Sequence, residues 1–267
     1  MTSPHRRPAP APAGRRAGGH TSWLRQFHPV PPSSTSPGPV RRLVCFPYAG
    51  GSAGTYFPLS EALAPGIRVE AVQYPGRQDR AGERPIEDLT VLAEHIARQV
   101  AAGRHPAPVL FGHSMGALLA FETARCLEAA HGVSPGLLIV SGMPPPTRLP
   151  SVALGDGSEI LADLARLRGI DPGLLRNPEL QEMILPALRS DHRALDSYRP
   201  APDATVGCPI SVFTGSEDPL LDERAACAWA QHTRRAFRLR VFPGGHFYLD
   251  GFPSAVTAAV KAETFLT

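Results

Sequence analysis

Lysine is almost missing: Lys261 is the only one in 267 residues, so positive charge rests on arginine. Acids are absent from residues 1–42, which hold seven arginines (Arg6, Arg7, Arg15, Arg16, Arg25, Arg41 and Arg42). The net charge of +3 therefore belongs to the N-terminal segment, and the remainder is mildly acidic. That removes charge as an argument for nucleic-acid binding by the folded part. The four cysteines, Cys45, Cys126, Cys208 and Cys227, form no CxxC pair, which excludes a zinc ribbon or a dithiol redox site. Cys45, Cys126 and Cys227 have apolar neighbours and are expected as small core side chains. No apolar run approaches the roughly 20 residues that span a bilayer. The N-terminal arginine pairs lack the apolar segment of an export signal. A cytoplasmic protein is the expectation.

Two textures are present. Residues 1–39 are rich in Pro, Ala, Gly, Ser and Arg, a composition that cannot bury enough surface to offset its ordering entropy. A disordered extension is expected there, with Trp23, Leu24 and Phe27 the residues able to dock on the folded domain. From residue 40, strands (40–46, 69–73, 109–111, 137–140, 210–213 and 239–242), most without period-2 polarity, alternate with helical patterns at 86–102, 115–129, 221–233 and 253–265. Strands without polar alternation, interleaved with helices, imply a mostly parallel sheet covered on both faces, an α/β class. Residues 147–203 interrupt the alternation with leucine-rich helical segments, and are expected to form a lid inserted in a domain spanning 40–267.

Gly112-His113-Ser114-Met115-Gly116 follows a buried strand and opens a helix, the setting of a nucleophile elbow. A serine hydroxyl needs a base. Of ten histidines, His246 alone sits in a glycine turn between the last strand and the last helix. His113 adjoins the serine, but neighbours on such a turn are expected to point apart; His192 and His232 lie in helical surroundings and are expected to be solvated. The imidazole needs an orienting acid. Asp218 follows a strand and a glycine turn, ahead of Glu217, Asp222 and Asp250 as candidates, and the loop after Val140 holds no acid. The order Ser114, Asp218, His246 is that of the α/β-hydrolase fold. Two backbone amides complete the set as oxyanion donors: Met115 at the helix start, and Ala49 in the loop after the first long strand, with Gly50 as fallback.

With these motifs in view, the chain resembles the type II thioesterases, the stand-alone editing enzymes of polyketide and nonribosomal peptide synthesis. The resemblance runs from about residue 22 to 265. It includes Trp23-Leu24-Arg25 with Phe27, Leu43 to Gly51, Tyr74-Pro75-Gly76-Arg77, the elbow, Leu188 to Asp191 with Tyr198, Gly215 to Pro219, and Gly244 to Tyr248. It implies hydrolysis of acyl groups from the phosphopantetheine arm of carrier proteins, with no metal or bound cofactor, and with the family's oxyanion amides falling on Ala49 and Met115. A monomer is the default. Tyr48 stands where many members have histidine, and the segment before Trp23 is longer than the family's usual one. A general carboxylesterase, an acyltransferase and a non-catalytic carrier-binding module are the competing readings.

Overall fold

The computed structural model describes residues 22–30, 40–103, 107–149, 157–168 and 177–266. Residues 1–21 and 31–39 of the expected disordered extension lie outside these, as do 150–156 and 169–176 of the expected lid. Seven strands form one sheet: β1 (Leu24–Arg25), β2 (Arg41–Phe46), β3 (Ile67–Val72), β4 (Val109–His113), β5 (Leu137–Ser141), β6 (Ile210–Gly215) and β7 (Phe237–Phe242). Their spatial order is β1-β3-β2-β4-β5-β6-β7. The six strands from β2 to β7 pair in parallel, and β1 adds to β3 antiparallel, Leu24 facing Val72.

The apolar runs read as doubly covered strands because their alternate residues enter two cores. Val44, Phe46, Leu110, Val140 and Val212 face α2 (Leu89–Ala102) and α3 (Met115–His131). Leu43, Cys45, Phe111, Ile139 and Phe213 form the opposite core with α1 (Phe57–Leu63) and α7 (Ser254–Phe265). Strands β2, β4, β5 and β6 thus remove both their faces from water, at roughly 25 cal/mol for every Å² of apolar area, whereas β7 leaves Arg238 and Val241 exposed. Helix α2 starts at Leu89, three residues later than its pattern suggests, because the Asp88 carboxylate accepts hydrogen bonds from Thr90 N at 2.8 Å and Val91 N at 3.0 Å.

Between β5 and β6 lie α4 (Gly157–Arg168) and α5 (Pro178–Ser197). The single helix expected over 221–233 is instead α6 (Glu223–Cys227) running into a tighter helical turn, Ala228–His232. Cys227 is exposed, against the expectation of a core position, whereas Cys45 and Cys208 are buried. Trp23 docks as the sequence allows. It is stacked on His95 at 5.3 Å, with the Arg80 guanidinium 4.3 Å over its ring. Because β2, β4, β6 and β7 run the same way, the loops after all four emerge at one sheet edge, where α/β folds place their sites.

Candidate active site

The elbow is built by exclusion. Ser114, between β4 and α3, has φ 55° and ψ −125°, a backbone state that L-residues avoid and that stores on the order of 1–3 kcal/mol. What holds it there is the absence of two methyl groups. A Cβ on Gly112 would lie 2.0 Å from Gly116 O, and one on Gly116 would lie 2.1 Å from Phe46 O. The chain can therefore turn tightly against β2, while Ser114 N–H donates to Ser141 O at 2.8 Å.

The residues expected as base and acid come from the adjoining loops. His246 Nδ1 lies 3.1 and 3.0 Å from the two carboxylate oxygens of Asp218, and both side chains are almost wholly buried. A carboxylate only accepts, so this pairing places the ring proton on Nδ1 and leaves Nε2 as the basic nitrogen. Nε2 is buried and has no hydrogen-bond partner among the described residues. Asp218 Oδ1 also accepts from Leu220 N–H at 2.9 Å. The two loops are packed backbone to backbone: a Cβ on Gly215 would meet Gly245 O at 2.3 Å. Of the neighbouring acids, Glu217 donates its amide to Gly244 O, and Asp222 caps α6 through Ala225 N–H.

Ser114 and His246 line one cavity of about 200 Å³, together with Ala49 and Tyr48 from the loop after β2. Helices α4 and α5 supply its apolar wall, including Ile160, Leu164, Leu188 and Leu195. The Gly50 amide, the fallback donor, is committed to Asp191 Oδ2 at 2.7 Å. Met115 has a fully buried side chain and follows the serine as the first residue of α3. Its N–H belongs to the helix's unsatisfied first turn.

Sequence reasoning missed a second histidine. The His113 ring is fully buried and sits 4.8 Å from that of His246. Its Nδ1 is 2.9 Å from Ser141 Oγ, which is 2.7 Å from Tyr248 Oη. Burial raises the Tyr248 phenol above its ordinary range, so it keeps its proton. A signal existed: His113 and Tyr248 lie one and two residues from Ser114 and His246 respectively. His232, expected in solvent, is buried; its ring nitrogens lie 3.0 Å from Thr147 Oγ1 and 2.8 Å from Ala204 O. His192 lines the cavity rather than an open surface, and burial lowers its pKa. Burial likewise pushes the Cys208 thiol up to about 12, which makes it a poor nucleophile. Among the described residues, no cluster of three or more His, Cys, Asp or Glu could hold a metal, and no helix is long and apolar enough to cross a membrane.

The thioesterase-domain family model matches residues 41–262. Thioesterase PikA5 of Streptomyces venezuelae is 43% identical over 231 residues, 85% of this chain and 80% of that protein. The probable cadicidin biosynthesis thioesterase of Streptomyces griseus is 45% identical over 240 residues; the match takes in 89% of this chain but 64% of that longer protein. Among solved structures, the type II thioesterase BorB from the borrelidin biosynthetic cluster superposes with a TM-score of 0.81 at 42% identity, covering 91% of this chain and 98% of BorB. A nucleophile elbow, a carboxylate-held histidine and these likenesses agree: the chain belongs to the thioesterase family, and its fold is that of the α/β-hydrolases.

Proposed function

We propose that the chain is an editing thioesterase that hydrolyses acyl groups from the phosphopantetheine arm of carrier proteins in polyketide or nonribosomal peptide synthesis. Ser114, His246 and Asp218 would be its catalytic triad. One observation carries the reading: a buried histidine with Nδ1 held by a carboxylate and Nε2 unpaired, in the same cavity as a serine on a strained turn.

In this reading Ser114 Oγ attacks the thioester carbonyl as His246 Nε2 takes its proton. The carbonyl oxygen gains negative charge and is met by the amides of Ala49 and Met115. The C–S bond then breaks, and the thiol of the arm leaves with the proton from His246. Water, deprotonated by His246, attacks the acyl-Ser114 ester and regenerates the enzyme. Asp218 stabilises the imidazolium formed in each half. Nε2 has no partner among the described residues, and catalytic hydrogen bonds are commonly long without substrate and tighten only with it. The apolar wall from α4 and α5 suits an aliphatic acyl chain. Four free cysteines suit a reducing cytoplasm.

The test is intact-mass analysis of acyl-loaded carrier protein. Wild type should release the acyl group as the free acid, and Ser114→Ala should lose on the order of 10⁴- to 10⁶-fold of turnover. Preference for simple oxygen esters would defeat the thioesterase reading in favour of a carboxylesterase. Release onto an acceptor other than water would make it an acyltransferase.

A further inference from the structure

Helix α5 carries a carboxylate that reaches the backbone of the oxyanion loop, 141 residues away in sequence. We propose that Asp191, gripped by Arg77, is a positioning residue for oxyanion stabilisation, setting the direction of the Ala49 amide from the lid side of the cavity. The proposal rests on the reading of Ala49 as an oxyanion donor.

The Gly50 N–H donates to Asp191 Oδ2 at 2.7 Å. Arg77 forks onto the same carboxylate, Nη1 to Oδ2 at 2.9 Å and Nη2 to Oδ1 at 2.6 Å. Nη1 also donates to Gly51 O at 2.8 Å, and the guanidinium lies 4.9 Å over the Tyr74 ring. The Tyr74 hydroxyl in turn donates to Pro47 O at 3.0 Å. The peptide that bears the Ala49 N–H is thus bracketed by tethered neighbours. Its own carbonyl, that of Tyr48, accepts from Gly51 N–H at 2.9 Å. Because N–H and C=O of a trans peptide point opposite ways, tying the carbonyl into this turn directs the Ala49 N–H away from it. Asp191 closes the turn by holding the residue between.

A purely stabilising role is a weak account of such a pair. Both side chains are nearly inaccessible, 8% for Arg77 and 2% for Asp191. The cost of desolvating two ions offsets much of their attraction, so apolar residues often do as well for stability. What they cannot supply is a bidentate direction. The location argues the same way. Leu188, His192 and Leu195 of α5 line the cavity, and Leu188 packs directly on Gly50, where an added Cβ would lie 2.7 Å from its Cδ2. One helix therefore touches both the acyl space and the loop that carries the donor. A chain that fills the cavity presses on the element that sets the amide.

The experiment uses the full chain with an acyl-pantetheine thioester and the matching dithioester, whose sulfur fits amide donors poorly. Asp191→Asn keeps volume and one acceptor oxygen but breaks the fork; Asp191→Ala removes both. The expected result is a kcat loss of roughly tenfold for Asn and a hundredfold for Ala, the scale of a misplacement of about 1 Å. KM should stay within about twofold and the pH profile of kcat/KM should not move, since His246 and Asp218 are untouched. The thioester-to-dithioester ratio should shrink along with kcat. Should the alanine variant not fold, the asparagine variant carries the test. Folded variants with wild-type kcat, or with a changed KM and an unchanged ratio, overturn the positioning role alone. A wild-type enzyme that leaves thioesters intact overturns the functional reading, and the positioning role with it.

Discussion

The elbow at Ser114 and the loop after β2 meet at one edge of the sheet but are held by opposite means. The elbow is fixed by what is missing: two absent Cβ atoms let β4 turn into α3 against Phe46 within five residues. The loop after β2 is fixed by what reaches it. Tyr56 donates to Phe46 O at 2.8 Å, Tyr74 to Pro47 O, Arg77 to Gly51 O, and Asp191 accepts from Gly50 N–H. The first device is local and admits no partial change. The second is assembled from distant parts of the chain and can be loosened one bond at a time. The Ser114 turn is therefore rigidly placed, while the loop after β2 is open to adjustment from α5.

Breaking the elbow should have the largest effect. Gly116→Ala drives a methyl into the Phe46 carbonyl, a backbone collision no rotamer relieves. The expected outcome is loss of folded enzyme, read as the absence of a cooperative melting transition; a folded and active Gly116→Ala would remove the steric account. Next is Asp218→Asn, which leaves the packing in place but can turn its amide toward His246 Nδ1 and favour the wrong tautomer. Turnover should fall on the order of 10⁴-fold, with the melting temperature little changed. A loss below about tenfold would remove Asp218 from the triad.

The same contrast explains what could be read from the sequence. The meeting of Ser114, Asp218 and His246 was legible because each sits at a strand end, marked by glycine, in a chain order set by the fold. The sheet was legible because β2, β4, β5 and β6 are apolar on both faces. Helix α1 was not, because its seven residues, with proline at the second, are too short for a periodic stripe. Strand β1 is two residues long and owes its conformation to pairing with Val72 and Ala71. His232 looked solvated because the contacts that bury it, including Trp229 and Phe121 at 5.6 Å, form only in the folded chain. Arg77 and Asp191 carried the family likeness, yet 114 residues separate them and no spacing rule joins them.

The remaining predictions concern the tethered loop, where the effects should be graded. Gly50→Ala asks a residue at φ +75° to accept a side chain that lands 2.7 Å from Leu188 Cδ2. Leu188 is the flexible end and can yield, so the protein should fold. Its yielding moves the cavity wall, so KM for long acyl chains should change together with kcat, by about tenfold overall. Steady-state kinetics over a chain-length series checks this, and a uniform effect at every length would disconnect the wall from the loop.

Tyr74→Phe should be the mildest change and the most informative about the tethers. It deletes one hydroxyl, keeps the ring under the Arg77 guanidinium, and leaves Pro47 O buried without its donor. An unsatisfied buried carbonyl costs about 1–3 kcal/mol, and a chemical denaturation curve should show that loss. If the loop were held as a single rigid piece, the stability cost would come with a turnover loss equal to that of Asp191→Asn. If the tethers act separately, turnover should fall by no more than about threefold, because the Gly51–Tyr48 turn and the Asp191 bond still orient the Ala49 amide. The second result is expected, since Pro47 lies on the far side of Tyr48 from the turn, and a one-bond release there can be absorbed before it reaches Ala49.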